Sequence, residues 1–108
     1  VNKRGMSWPR LAQLTSGNAA KILGLYPRKG NLLPGADADL IFIDPDEKWV
    51  YDRSKSFSKT KSVKGPYQNM ELTGRVTDTF VRGERVYGDG RILCEAGYGM
   101  YIKSEGSK

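Results

Sequence analysis

Between Thr15 and Asp44 glycine and proline punctuate the chain so closely that few folds remain open to it. The stretch reads TSGNAAKILGLYPRKGNLLPGADADLIFID. Ser16 is placed as an N-cap, because its hydroxyl can accept from a free amide in a first helical turn. Ala19, Ala20, Ile22 and Leu23 follow as one apolar face at helical spacing. Gly24 stops that helix, since glycine adopts the left-handed conformation that a C-cap needs. Pro27 and Gly30 bracket a basic turn at Arg28-Lys29, and Pro34-Gly35 fits a type II corner. Leu40-Ile41-Phe42-Ile43 is a continuous apolar run, which predicts a strand buried on both faces and ended by Asp44-Pro45.

The flanks extend the same α+β pattern. Ser7 is a second N-cap, with Pro9 in the first turn, where its missing amide is harmless. Trp8, Leu11, Ala12 and Leu14 form an apolar stripe, so two short helices in series are expected, meeting near Ser16-Gly17. Each has an apolar face that needs a larger body to cover it. Beyond Asp44, Pro45-Asp46 reads as a turn and Lys48–Tyr51 as a strand that pairs back on Leu40–Asp44. Asp52–Gly65 is rich in serine and lysine and reads as a mobile or partly extended loop. Strands are expected at Arg75–Val81, Arg85–Tyr87 and Arg91–Leu93, joined by turns at Arg82-Gly83-Glu84 and Gly88-Asp89-Gly90. The tail from Ala96 to Ile102 is apolar and aromatic, and Lys103–Lys108 is a polar end expected to be disordered.

Histidine is absent from all 108 residues, and that excludes more chemistry than any residue present supplies. A zinc site would need cysteines or carboxylates, and Cys94 is the single cysteine. Nucleophiles activated by histidine are excluded within the chain, as is the usual general base near neutral pH. One cysteine forms no internal disulfide, so a reducing, cytoplasmic setting is expected. No apolar run is long enough to span a membrane, and no apolar h-region follows Val1-Asn2-Lys3-Arg4, so a signal peptide is not expected. The lack of an initiator methionine suggests a natural start elsewhere.

The net charge of +6 is unevenly placed, since five positive charges come from Arg53, Lys55, Lys59, Lys61 and Lys64. This is one basic segment on a near-neutral body. It reads as a solvated connection in preference to a phosphate-gripping arm, so nucleic acid is not the expected partner. Asp37 and Asp39 could be paired acid–base carboxylates, but at a strand entrance they read as turn-capping groups. Asp44 and Asp46, either side of Pro45, read likewise, and the four aspartates lack the spacing of a calcium loop. Arg28 and Lys29 read as solvated cations beside a helix C-terminus in preference to an anion grip. Cys94 has no histidine to activate it, and Trp8 and Trp49 lie in apolar patterns that suggest packing.

An ordered series of residues then resembles one family. Thr15-Ser16, Asn18, Ala20-Lys21, Leu23-Gly24-Leu25, Arg28-Lys29-Gly30, Pro34-Gly35 and Asp37-Ala38-Asp39-Leu40 resemble the late segment of the cyclic amidohydrolases. That family includes hydantoinase, dihydropyrimidinase, allantoinase and dihydroorotase. Ser58-Lys59, Pro66-Tyr67 and the Met70-to-Gly74 approach are similar to its connection, although Lys59-Thr60-Lys61 is closer to allantoinase and dihydroorotase than to hydantoinase. Val81-Arg82-Gly83-Glu84-Arg85-Val86-Tyr87 resembles its closing hairpin, and Gly97-Tyr98-Gly99 the ending of hydantoinases.

The resemblance implies a last helix outside a (β/α)8 barrel over residues 1–30, the C-terminal part of a β-sandwich over 31–95, and a terminal arm over 96–108. It implies hydrolysis of a cyclic amide by the intact enzyme, with two divalent metals, usually zinc, held upstream by histidines and a carbamylated lysine. No catalytic, metal or cofactor-binding residue is carried onto this chain, which is expected to be inactive alone. The implied partners are the missing N-terminal barrel and sandwich strands, and further copies in a homo-oligomer. The terminal arm lies at a subunit contact or folds onto its own domain. A non-catalytic scaffold homologue and a free-standing basic binding module are the alternatives.

Overall fold

The computed structural model describes residues 1–63 and 65–104. Lys64, one of the five clustered cations, lies outside the described residues, as do residues 105–108, where most of the expected disordered end falls. The chain divides into two compact units, Val1–Phe42 with Thr77–Lys108, and Ile43–Val76. The architecture is α+β, with short helical segments preceding a four-stranded sheet in the order β1-β2-β3-β4.

In the first unit, helix α1 (Trp8–Ala12) starts where Ser7 Oγ accepts from the Arg10 amide at 3.3 Å, with Pro9 in the first turn. The expected break at Ser16-Gly17 does not occur. Gln13–Gly17 forms one π-helical turn that runs directly into α2 (Asn18–Ile22). Gly17 keeps right-handed helical angles and no side chain caps α2, so Ser16 is not an N-cap. Thr15 Oγ1 donates instead to the Leu11 carbonyl at 2.9 Å, a back-bond within the helix. The helical run ends as expected: Gly24 has φ +66°, and the Gly24 and Leu25 amides reach back to the Lys21 and Ala20 carbonyls.

Small residues on this helix admit the following turn. Gly30 has φ +84°, and a Cβ there would come within 2.5 Å of Ala20 Cβ and 3.1 Å of the Ser16 carbonyl oxygen. Ala20 is accordingly the one buried hydrophobic side chain among the described residues. At the Pro34-Gly35 corner the Ala36 amide donates to the Leu33 carbonyl at 3.0 Å and Gly35 has φ +93°, as a type II turn requires.

Strand β1 (Leu40–Val50) corrects two expectations at once. Pro45 does not end it, and Lys48–Tyr51 is not a separate strand paired back on Leu40–Asp44. Asp44 Oδ1 satisfies the Asp46 and Glu47 amides at 2.9 and 3.1 Å. The strand lies at the edge of the sheet order, where proline's missing donor costs no ladder bond. Nor is the apolar run buried on both faces, since Phe42 is 55 % exposed and Ile41 52 %.

Strand β2 (Glu71–Val81) starts four residues before the expected Arg75. Antiparallel pairing joins it to β3 (Glu84–Gly88), with Val81 opposite Glu84 and an irregularity between Thr79 and Phe80. The two-residue loop has left-handed angles at Arg82 (φ +52°) and Gly83 (φ +82°), the twist that a tight hairpin needs. Asp89-Gly90 repeats the device, and β3 pairs antiparallel with the short β4 (Arg91–Ile92).

In the second unit, Trp49 is fixed on three sides. Its Nε1–H donates to the Gly74 carbonyl at 3.0 Å, the Arg75 guanidinium lies over its ring at 5.3 Å, and Tyr51 meets it edge-on. Arg75 also pairs with Glu47 at 2.9 Å. No helix among the described residues is long and apolar enough to cross a membrane.

Candidate functional site

Among the described residues, the basic turn and the strand entrance bring four charged side chains into one linked set of ion pairs. Arg28 Nε meets Asp37 Oδ2 at 3.0 Å, Lys29 Nζ meets the same oxygen at 2.7 Å, and Lys29 also pairs with Asp39. The other Asp39 oxygen accepts from the Arg82 amide at 2.8 Å, and the Ala38 carbonyl accepts from the Gly83 amide at 3.0 Å. Asp39 therefore caps the left-handed hairpin loop, the turn-capping role that a strand entrance suggests. The expectation for the cations needs correction. Lys29 is not a solvated charge beside a helix end but lies only 18 % exposed between two carboxylates. Arg28 remains half exposed, with Asp37 as its partner.

The electrostatics follow from these bonds. The Lys29 ammonium and the Arg28 guanidinium hold the Asp37 carboxyl below its usual value. Burial works to raise the Asp39 carboxyl, but the bonds from Lys29 and the Arg82 amide outweigh it and the carboxyl titrates low. Burial likewise pulls Lys29 down, and its two carboxylate partners reverse this, so its ammonium is held above the ordinary 10.5. Two ionised aspartates matched by fixed cations make a clamp. Neither carboxyl is poised to exchange a proton near neutral pH, so the acid–base reading of the pair gains nothing.

A second feature lies under the tail. Tyr98 stacks beneath the Arg82 guanidinium at 4.6 Å, its carbonyl accepts from Arg82 Nη2 at 2.9 Å, and its hydroxyl donates to the Val81 carbonyl at 3.3 Å. The arm is thus folded onto its own unit at Tyr98, while Tyr101 beyond it is 89 % exposed. Between Cys94–Gly99 and the side chains of Val81, Val86 and Ile92 lies an open, mostly apolar pocket of about 440 Å³. Cys94 borders it half-buried, with no histidine in the chain to activate its thiol.

The basic loop is more organised than a mobile connection. A 3-10 turn over Arg53–Lys55 is capped by Asp52, whose Oδ1 accepts from the Ser54 amide at 3.0 Å and hydroxyl at 2.8 Å. Arg53 reaches back across the loop, donating to the Thr60 carbonyl at 3.1 Å and to Thr60 Oγ1 at 3.0 Å. This cross-loop bond has no signature in spacing or composition. The seat of Arg82 on Tyr98 was equally hidden, because 16 residues separate the partners.

Among the described residues no three His, Cys, Asp or Glu side chains lie together as metal ligands. Asp37 and Asp39 are committed to cations and an amide, and Asp44 Oδ1 to two amides. This donor set does not fit a divalent metal centre.

Comparison with known proteins adds a common origin. A family profile described as "Amidohydrolase family" matches residues 1–86. A mouse protein named dihydropyrimidinase-related protein 5 is 42 % identical over 96 residues, covering 85 % of this chain and 16 % of its own length. A Salmonella newport allantoinase is 41 % identical over 87 residues, covering 81 % of this chain and 18 % of its own. The solved L-hydantoinase (dihydropyrimidinase) of Arthrobacter aurescens superposes with a TM-score of 0.85 at 36 % identity, over 94 % of this chain and 22 % of that one. The chain therefore spans about a fifth of the length of the proteins it matches.

Proposed function

The chain belongs to the amidohydrolase family, and from that premise we propose that it is the C-terminal supporting portion of a metal-dependent enzyme hydrolysing a cyclic amide. The substrate class would be that of a hydantoin, dihydropyrimidine or allantoin ring. The observation that carries this reading is the superposition of nearly the whole chain on about a fifth of a hydantoinase. Exposed apolar surface supports it. Ile22 is 83 % exposed and Leu32 77 %, at positions where the helix and following turn want a covering body.

In this reading residues 1–30 flank a barrel, 31–95 contribute to a sandwich and 96–108 form an arm. The body that covers them is the barrel and the remaining sandwich strands, on chain outside these residues. The metals, two zinc ions in the fullest form of the proposal, would be held there. The clamp at Lys29, Asp37 and Asp39 keeps the strand entrance and hairpin in register and takes no part in catalysis. The single Cys94 suits a reducing, cytoplasmic setting, and the assembled protein would be a homo-oligomer.

The test is a pair of preparations. The longer reading frame should bind divalent metal and open a hydantoin, dihydropyrimidine or allantoin ring, and this chain alone should do neither. Turnover with bound zinc in the 108-residue chain would overturn the proposal. A second reading is a non-catalytic homologue, favoured by a 42 %-identical relative whose name states relation to dihydropyrimidinase without claiming that activity. A longer frame that folds, binds no metal and opens none of the three rings would select it.

A further inference from the structure

We propose that the loop Arg53–Val63 is a phosphorylation site, with Ser58 the acceptor and Arg53 and Lys61 the cations that hold the added phosphate. Hydroxyls and cations alternate here, at Ser54, Lys55, Ser56, Ser58, Lys59, Thr60, Lys61 and Ser62. The hydroxyls are not equivalent. Ser54 Oγ sits 2.8 Å from the Asp52 carboxylate, which would repel a phosphate. Ser56 is half-buried, with its Oγ accepting from the Ser58 amide at 3.1 Å. Ser58 is exposed, and its Oγ lies 2.9 Å from Thr60 Oγ1, which itself receives Arg53 Nη2 at 3.0 Å. The Thr60 amide also points at Ser58 Oγ, at 3.2 Å. A phosphate built on that oxygen therefore starts beside a guanidinium and an amide that already donates to it. Lys59 and Lys61 flank it and form no ion pair among the described residues.

The approach is also open to an enzyme. Lys55, three residues before Ser58, is exposed and supplies the cation that a kinase with an acidic substrate groove reads. The γ-phosphoryl group of a nucleoside triphosphate would move to Ser58 Oγ. The new O–P bond forms as the bond to the leaving diphosphate breaks, and the hydroxyl proton passes to the kinase's base. The product adds close to two negative charges beside a guanidinium whose Nη2 now bonds the Thr60 hydroxyl and can pass that bond to a phosphate oxygen.

The experiment uses the full chain, a purified kinase that prefers a cation three residues before its acceptor, and ATP. Peptide mass mapping should find one phosphate, on Ser58, and Lys55→Ala should slow its addition by about tenfold, as loss of a charge-assisted contact does. Phosphorus NMR should then show the phosphoserine titrating below its ordinary value of about 6, with Lys61→Ala or Arg53→Ala moving it back. Lys61 is exposed, so that variant tests the cradle without disturbing the loop. No incorporation while a control peptide is labelled, labelling confined to Ser56 or Ser62, or a phosphate that titrates normally would each overturn the proposal.

Discussion

Asp39 joins three parts of the chain with one side chain: it pairs with Lys29 in the basic turn, stands at the entrance to β1 and caps the Arg82 amide 43 residues away. Asp39→Ala takes one of two carboxylate partners from a partly buried ammonium and leaves the Arg82 amide unmet, and should destabilise the first unit by about 1–3 kcal/mol in urea unfolding. Asp37→Ala removes a partner that Lys29 can partly replace with Asp39, and should cost less. Both carboxyls titrate low in the folded chain, so their stabilisation is complete above the ordinary aspartate value and fades as pH falls through their depressed values. Lys29 titrates high, so its share is complete below 10.5 and fades as pH rises past its raised value. Stability should be flat between those limits and fall at both, and Lys29→Met should flatten both flanks in a pH series of thermal melts. Gly30→Ala places a methyl against Ala20 at a left-handed φ, and should cost about 1 kcal/mol or more by the same melts.

Among the elements, the hairpins were the most legible from sequence and the edge strand the least. Gly83 and Gly90 announce their turns because left-handed angles select glycine, and the structure gives both positive φ. That Arg82 and Asp89 share those angles was not legible, since nothing in an arginine predicts it, and at Arg82 the bond from Asp39 supports the conformation. Pro45 misled because it ends a central strand but not an edge one, and strand order is not written locally. The π turn at Gln13–Gly17 misled in another way: glycine and serine together look like a helix boundary, yet Gly17 keeps right-handed helical angles and the helix runs through it. The sequence signals for the clamp were present as charges, but not the pairing that turns Lys29 inward. Gly83→Ala should lower stability by about 1–2 kcal/mol through the hairpin. Trp49→Phe removes the donor to the Gly74 carbonyl, and should loosen the second unit by about 1 kcal/mol, visible as faster amide exchange at residues 47–51 and 71–76.

At the scale of the molecule, apolar groups outnumber the surfaces available to cover them. Ala20 is the one buried hydrophobic side chain among the described residues, while Ile22, Leu32 and Tyr101 stand open. The purified chain should bind an apolar fluorescent dye strongly, and the same residues within the longer frame should bind it weakly. Equal dye binding by the two would contradict the proposal that upstream chain covers these faces. The family resemblance was readable because it rests on ordered local features, from the Gly24 stop to the Gly83 hairpin. Those features fix helix ends and turns, so they carry no information about a substrate.

Residues 43–76 leave the first unit after Phe42 and return to it at Thr77, so that unit is stitched shut by neighbours on either side of an excursion. Closure entropy rises only slowly with length, so lengthening or trimming such a detour asks little of the clamp that seals it. A change in the length of the basic loop within that detour should therefore leave the hairpin and its aspartate lock in place.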